Sequence, residues 1–243
     1  MQTVSALYTS IITGDNHWFE CKLEIRDPST NDLIGTYGQG QLFSMSTNLQ
    51  LLKNTLEIGN AVAGEIDVKM VQPSAEIPTM AKLMPYVRVC NDTQQSEWLH
   101  QGVYYIDTRE HTVTHTGEEV LVLHGYDAML KADQLYPSTS HDWPYHIRNI
   151  VPEIAGFMGV EVDSRTYDYM PTTASNYAFP LPANYTLREV LGYIGSICGG
   201  NWIITEEGKL RLIPMWGMPL ETNLLINEDG DVIIFGEDAI LVG

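Results

Sequence analysis

The sequence predicts an α+β fold that is mainly β. An antiparallel β domain over residues 1–136 is followed by a small α+β domain over 137–215, built from two helix-strand units, and by a C-terminal β segment over 216–243. Three observations predict it. Residues 17–135 run in short alternating apolar and polar stretches broken by polar turns, the period of half-buried strands. Two later stretches, forty residues apart, switch to the period of a helix with one buried stripe, and each ends at a glycine. The last stretch returns to short β-prone runs, notably residues 231–235.

The elements follow in order. Residues 17–26 alternate in their second half, Cys21, Leu23 and Ile25 against Lys22, Glu24 and Arg26. Residues 27–32 form a turn cluster around Pro28 and Asn31, and 33–43 resume an extended pattern around Gly35, Gly38 and Gly40. Alternation returns over 63–70, with Ile66, Val68 and Met70 on one side. Pro73 and Pro78 punctuate a loop before residues 86–90. The strongest hairpin joins 102–113 to 119–126 through a turn at His115, Thr116, Gly117 and Glu118. So many strands with short polar turns imply a barrel or a sandwich.

The first helix carries Ile147, Ile150, Val151, Ile154 and Phe157 before Gly159, then the strand-like Val160 to Val162. The second carries Leu187, Val190, Leu191, Ile194 and Ile197 before Gly199, then Trp202, Ile203 and Ile204. The constant offset makes a structural duplication a candidate. Thr186 with Glu189 three residues on has the form of a capping box. Asp142 is the candidate N-cap of the first helix, with Pro144 in its first turn. A second hairpin joins 202–205 to 209–214 through Glu206, Glu207 and Gly208.

Charge and composition exclude some functions. The 243 residues hold 31 acidic and 13 basic side chains, a net charge of −18. Such a surface repels phosphate, so specific nucleic-acid binding is not expected. It suits solubility, and equally a wall past which DNA slides without sticking. Cys21, Cys90 and Cys198 are odd in number and far apart, which points to thiols in a reducing compartment, not to a disulfide framework or a zinc site. The start lacks the basic and apolar regions of a signal peptide, and no window approaches the roughly 18 apolar residues of a membrane span. A soluble protein made in the cytoplasm is the expectation.

Reactive chemistry is hard to find. His111 and His115 stand four apart, a spacing that shares a face on a helix, but their setting is strand and turn. His141 and His146 flank the helix start, where a structural part outweighs a catalytic one. Nucleophile elbows, zinc-helix motifs and phosphate-binding glycine loops are absent, and Gly35, Gly38 and Gly40 fit a strand bend or bulge. Glu118–Glu119 and Glu206–Glu207 fall in turns. The 13 tyrosines and five tryptophans form no stripe, which favours core and interface packing. Tyr167, Tyr169 and Tyr177 belong to a polar stretch suited to meeting a partner. No catalytic residue, cofactor or metal site is expected, and the chain is not expected to be an enzyme.

The order of several loose motifs is familiar. Ile58, Gly59, Asn60 and Ala61 precede an alternating strand, and residues 77–89 (IPTMAKLMPYVRV) follow. Next come 102–107 (GVYYID), 123–130 (LHGYDAML), 185–191 (YTLREVL), 199–204 (GGNWII) and 209–214 (KLRLIP). From about residue 50 to 215 the chain resembles the N-terminal part of phage tail hub proteins. These form the baseplate hub and tail-associated family, also seen in prophages and phage-tail-like particles. The resemblance implies a barrel for the first domain and a homotrimer whose barrels make a ring of pseudo-sixfold character. It implies a structural virion protein at the tail tip that joins a hexameric tail tube to a threefold spike or fibre and lines the DNA exit channel.

Implied partners are other copies of the chain, a tail tube or distal tail ring, and a spike, fibre or tape-measure protein. DNA passes without specific binding, and no stable membrane insertion is implied. The implied location is the virion tail, assembled in the host cytoplasm. Relatives often continue into a cell-wall-degrading or receptor-binding region; only about 28 residues follow Met215, too few for an appended hydrolase, though the strands of 216–243 are candidates to complete the barrel. The expected interface residues are His115, Thr116, Gly117 and Glu118 in the hairpin turn, with Tyr167, Tyr169 and Tyr177. The rival readings are a cell-wall-degrading tail hydrolase or peptidase, and a receptor- or glycan-binding tail module.

Overall fold

A computed structural model describes residues 4–52, 57–113, 117–139, 142–172, 177–180 and 182–215, with two short strands beyond them. Eight strands build the main sheet: β1 (Trp18–Arg26), β2 (Leu33–Tyr37), β3 (Leu42–Asn48), β4 (Glu65–Val71), β5 (Lys82–Cys90), β6 (Leu99–His100), β7 (Tyr104–Val113) and β8 (Glu119–Asp127). All pairings are antiparallel, in the order β2-β1-β5-β7-β8-β4-β3, with β6 on β5. β4 shows why the alternation matters: Ile66, Val68 and Met70 are buried while Asp67, Lys69 and Val71 are exposed. Leu23, Ile25, Leu83, Ile106, Leu121 and Leu123 meet them in one core.

The connection between β2 and β3 forces the sheet to roll. These strands stand at opposite ends of the pairing order, yet only residues 38–41 lie between them. Five Cα steps reach about 17 Å at most, so the two edges must approach at one corner. Gly38 O accepts from the Gln41 and Leu42 amides there, and Gly40 takes φ +89°, which favours glycine. Among the described residues no ladder joins β2 to β3. The sheet is mainly β and rolled, but not closed into a barrel.

A short helix, α1 (Ala6–Ile12), precedes β1, capped by Ser5 and anchored by buried Ile11. Sequence patterning did not foresee it. After β8 the chain enters a helical layer: a 3-10 helix (Ala128–Asp133), β9 (Tyr145–His146), α2 (Ile147–Met158), a second 3-10 helix (Ser164–Tyr169), β10 (Ala178–Phe179) and α3 (Leu187–Cys198). The hairpin of β11 (Gly200–Ile204) and β12 (Leu210–Pro214) completes it. The helices pack the first four residues of each predicted stripe into one core around Trp202, while Phe157 is only half-buried and Ile197 is 50% exposed, and both end on left-handed glycines, Gly159 and Gly199. Thr186 and Glu189 form the capping box.

Two expectations need correction. Asp142 does not cap α2. The helix starts at Ile147, where His146 Nδ1 accepts from the Arg148 amide at 3.2 Å, because residues 145–146 are held extended by pairing with β10. Pro144 therefore precedes the helix. The run after Gly159 is not a strand either. Val162 makes a single bridge to Leu210, and Asp163 at once caps the next 3-10 helix. The helix and its glycine thus recur at the offset of forty, whereas the strand that follows does not. Beyond Met215, β13 (Ile234–Phe235) pairs with β14 (Asp238–Ala239); the rest of 216–243 lies outside the described residues.

The two layers interlock. Residues 59–61, which lead into β4, run parallel to β11: the Gly59 amide donates to Gly200 O and the Trp202 amide to Asn60 O. Fully buried Asn201 accepts from the Asn60 amide and donates to Leu51 O and Glu57 O. Arg188 on α3 reaches Asp133 and the carbonyls of Ala61 and Met129.

Candidate assembly surface

The outer edge of β7 comes free of the sheet, while β8 stays paired with β4 as far as Val120 and the Gln72 amide donates to Glu119 O. The β5 ladder on β7 ends at Tyr105, and from Asp107 onward β7 is paired with β8 alone among the described residues. Asp107, Thr108, Arg109, Glu110 and His111 are exposed in succession, so both faces of that strand meet water. Val113 is 67% exposed, the most of any large apolar side chain described. At the turn Gly117 takes φ +89° with open space around it, and Glu118 and Glu119 are exposed. His115 and Thr116 lie outside the described residues. The open half of β7 and the turn after it form an exposed rim of the sheet, called the arm below.

Tyr167, Tyr169 and Tyr177 sit elsewhere and less openly. All three are half-buried against the core of the helical layer. Tyr167 lies 5.0 Å from the Arg148 guanidinium, which also donates to the carbonyls of Tyr167 and Met170, and burial pushes its phenol pKa up. The Tyr177 carbonyl accepts from the Ile147 amide. The arm grows from the sheet and the tyrosines from the helical layer.

A third feature was hidden in the sequence. On the outer face of the sheet, Glu20 stands opposite Arg88, Lys22 opposite Tyr86, and Arg26 opposite Lys82. Arg88 binds Glu20 at 2.6 Å and lies over Trp98; Lys22 binds Glu24 at 2.8 Å over Tyr86 and Trp98; Arg26 closes on the other Glu24 oxygen at 2.7 Å. The Arg88 hydrogen bond holds Glu20 below the usual carboxylate range. Burial works against the same shift at Glu24, where Lys22 and Arg26 prevail. Sequence reading saw only the alternation in the second half of β1. The ladder depends on register with a strand some sixty residues away, which no local period reveals.

A cleft of about 530 Å³ lies between residues 59–63, Tyr126 and α3. Its one cation, Arg188, is already engaged by Asp133 and two carbonyls, so it joins elements. Among the described residues no three His, Cys, Asp or Glu side chains gather as metal ligands. Burial pushes the thiols of Cys90 and Cys198 up, the latter to about 11, which keeps both protonated near neutrality. Burial also pushes Asp127 up to about 7, against two backbone donors, Gly64 N at 2.7 Å and Met129 N at 2.8 Å, and against Arg188. That carboxyl is a joint between β4, β8 and the first 3-10 helix. Among the described residues no helix is long and apolar enough to cross a membrane.

The backbone is more telling. The 43 kDa tail protein of prophage MuSo2 from Shewanella oneidensis matches with a TM-score of 0.51 over 85% of this chain and 59% of that one, at 13% identity. A tail protein from Neisseria meningitidis MC58 matches with a TM-score of 0.51 over 86% and 54%, at 10% identity. The chain is similar in fold to tail proteins. It spans between half and three-fifths of their length. No protein-family model matches the sequence, and neither does any curated protein.

Proposed function

We propose that the chain is a structural subunit of a phage-type tail and acts as the tail-tip or baseplate hub, without catalysis of its own. The fold it shares with two tail proteins carries this reading. In it, copies of the chain close into a trimeric ring, the rolled sheet of residues 1–136 serves as the barrel-like ring domain, and residues 137–215 brace it. The open seam between β2 and β3 is closed on assembly, by strands of 216–243 or of a neighbour. The ring joins a hexameric tail tube to a threefold spike or fibre, and its acidic surface lets DNA pass along the channel without capture. The turn at His115, Thr116, Gly117 and Glu118 and the tyrosines Tyr167, Tyr169 and Tyr177 meet neighbouring subunits.

Native mass spectrometry of the purified chain is expected to give a trimer, and electron microscopy a ring with a central channel. Incubation with purified cell walls is expected to release no muropeptides or peptides. A strictly monomeric chain, or reproducible wall digestion, removes the reading.

A further inference from the structure

Two copies of a chain carrying a net charge of −18 repel each other over most of their surface, so close approach favours places where cations collect. The outer face of β1 and β5 is such a place relative to the rest: its four cations offset the four carboxylates around them, so the net charge of −18 lies elsewhere on the chain. Lys22, Arg26, Lys82 and Arg88, four of the 13 basic residues of the chain, lie there against Glu20 and Glu24, with Asp27 and Asp32 in the turn at its end. Rings of Tyr86 and Trp98 fix Lys22 and Arg88 in place, which lowers the entropy lost on contact. The side chains of Lys22, Arg26 and Arg88 keep 21%, 26% and 21% of their surface in water. At one end Trp18 is 43% exposed, an aromatic anchor.

The arm has the opposite character. It carries Asp107, Glu110, Glu118 and Glu119. Its one basic residue, Arg109, turns back to donate to the carbonyls of Ile77 and Pro78 at 2.8 and 2.7 Å. Its outer backbone edge has no ladder past Tyr105 among the described residues, and exposed Val113 supplies an apolar contact.

We propose that the acidic β7–β8 arm of one copy docks on the cation-and-ring face of β1 and β5 in the next copy. The two surfaces differ, so the contact either repeats head to tail and closes as a ring or is exchanged reciprocally in a twofold pair; both leave neither surface uncovered, and the assembly reading above selects the ring. This rests on the assembly reading above and specifies which surfaces meet. It also accounts for the ion pairs of the ladder: Glu20 and Glu24 hold the cations in a flat, ordered row instead of leaving long side chains to be immobilised on contact.

The test uses the full chain. In the arm variant Glu110→Lys/Glu118→Lys/Glu119→Lys, the assembly constant measured by mass photometry or light scattering is expected to weaken at least about tenfold. Lys22→Glu/Lys82→Glu is expected to do the same, and the five changes together to restore assembly to within a few-fold of wild type. Thermal melting confirms that each variant is folded. Wild type needs no variant at all: carbodiimide coupling of a mixed ordinary and nitrogen-15-labelled sample is expected to join Lys22 or Lys82 of one copy to Glu110, Glu118 or Glu119 of another. Assembly that ignores the arm charges, or crosslinks confined within one copy, overturns the proposal and leaves the tail reading standing. A wild-type chain that stays monomeric overturns both.

Discussion

The rolled sheet and the helical layer divide the work of folding unequally. The sheet takes the longer stretch of chain, yet among the described residues its own core gathers thirteen buried residues, with Ile11, Val89, Cys90, Leu99 and Val120 buried apart from it, whereas the helical layer gathers twenty-one from a shorter stretch, Ala61 and Tyr105 being lent by the sheet side. The exposed apolar side chains fall the other way: ten of the fourteen large ones described, from Val4 to Val113, precede residue 114, and four follow it. A single rolled sheet has one interior, and its two edges and the outer half of β7 stay in water. Helices on a hairpin can bury a stripe from every element. The helical layer is where stability is concentrated, and the sheet is where surface is left for something else.

Tryptophan gives the sharpest contrast between the two. Trp202 is fully buried and its indole N–H donates to Leu191 O at 2.6 Å. Trp202→Ala is expected to cost about 3–5 kcal/mol, through a large cavity and a stranded carbonyl. Trp18 on β1 is 43% exposed, so Trp18→Ala is expected to stay within about 0.5 kcal/mol in the isolated chain. Urea denaturation of both variants checks this. Equal losses would remove the contrast.

Asp127 sits where the layers join, and its behaviour with pH follows from its burial. An unfolded aspartate releases its proton near 3.8, while the folded chain holds it up to about 7. The folded state therefore binds the extra proton, and the stability this adds is fully present below 3.8. It is lost as pH rises through the window to about 7. The difference in unfolding free energy between wild type and Asp127→Asn is expected to shift against wild type by on the order of 3 kcal/mol across that window. Carboxylates held low by partners, such as Glu20, Glu24 and Asp163, change in the opposite sense at lower pH, and they cancel in the difference. A flat difference between pH 4 and 7 means the carboxyl is ionised throughout.

Local periods carried much of this fold. The alternation in β4, the two apolar stripes except for exposed Ile197, the glycine stops and the Thr186 cap all follow from side chains within a few residues of one another, and the structure has them. What escaped depends on distant pairing. The start of α2 moved from Asp142 to His146 because β10, thirty residues on, holds the intervening chain extended. The strand after Gly159 shrank to one bridge because Asp163 caps a helix instead. The rolled but open sheet is set by the order of strands, to which a two-residue period is blind. Of the surfaces, the arm was visible as a hairpin; that its β7 strand loses β5 after Tyr105, and that Lys22 and Arg88 share one face, was not.

Two left-handed glycines separate backbone strain from close packing. Gly59 has φ +90°, and a Cβ there would overlap Ser196 Oγ and stand 2.5 Å from Gly192 O, inside the contact between α3 and residues 59–61 beside β11. Gly40, at the corner of the sheet, has φ +89° and nothing within 4 Å. Gly40→Ala is expected to cost about 1 kcal/mol, the backbone strain alone. Gly59→Ala adds the displacement of α3 and is expected to cost about 2–3 kcal/mol. Matching losses would mean that α3 yields without resistance and the layers are not locked at this point.

The smallest effect tests the same contrast at helix ends. Thr186 Oγ1 accepts from the Glu189 amide at 3.1 Å while the Glu189 carboxylate accepts from the Thr186 amide at 2.7 Å, so two orphan donors of α3 are satisfied together. Ser5 does similar work for α1, accepting from the Tyr8 amide at 3.0 Å, with Glu97 as its outside partner. α3 buries Leu187, Val190, Leu191 and Ile194 in the larger core, and it cannot fray without opening that core. α1 has seven residues and buries only Ile11, so its opening leaves the sheet intact. Thr186→Ala is therefore expected to lower global stability by about 1 kcal/mol. Ser5→Ala is expected to speed hydrogen exchange in residues 8–12 and leave the unfolding midpoint in place. If the Ser5 change lowers the midpoint as much as the Thr186 change, α1 belongs to the cooperative unit, and the sheet side of the molecule is less independent of its ends than its exposed surface suggests.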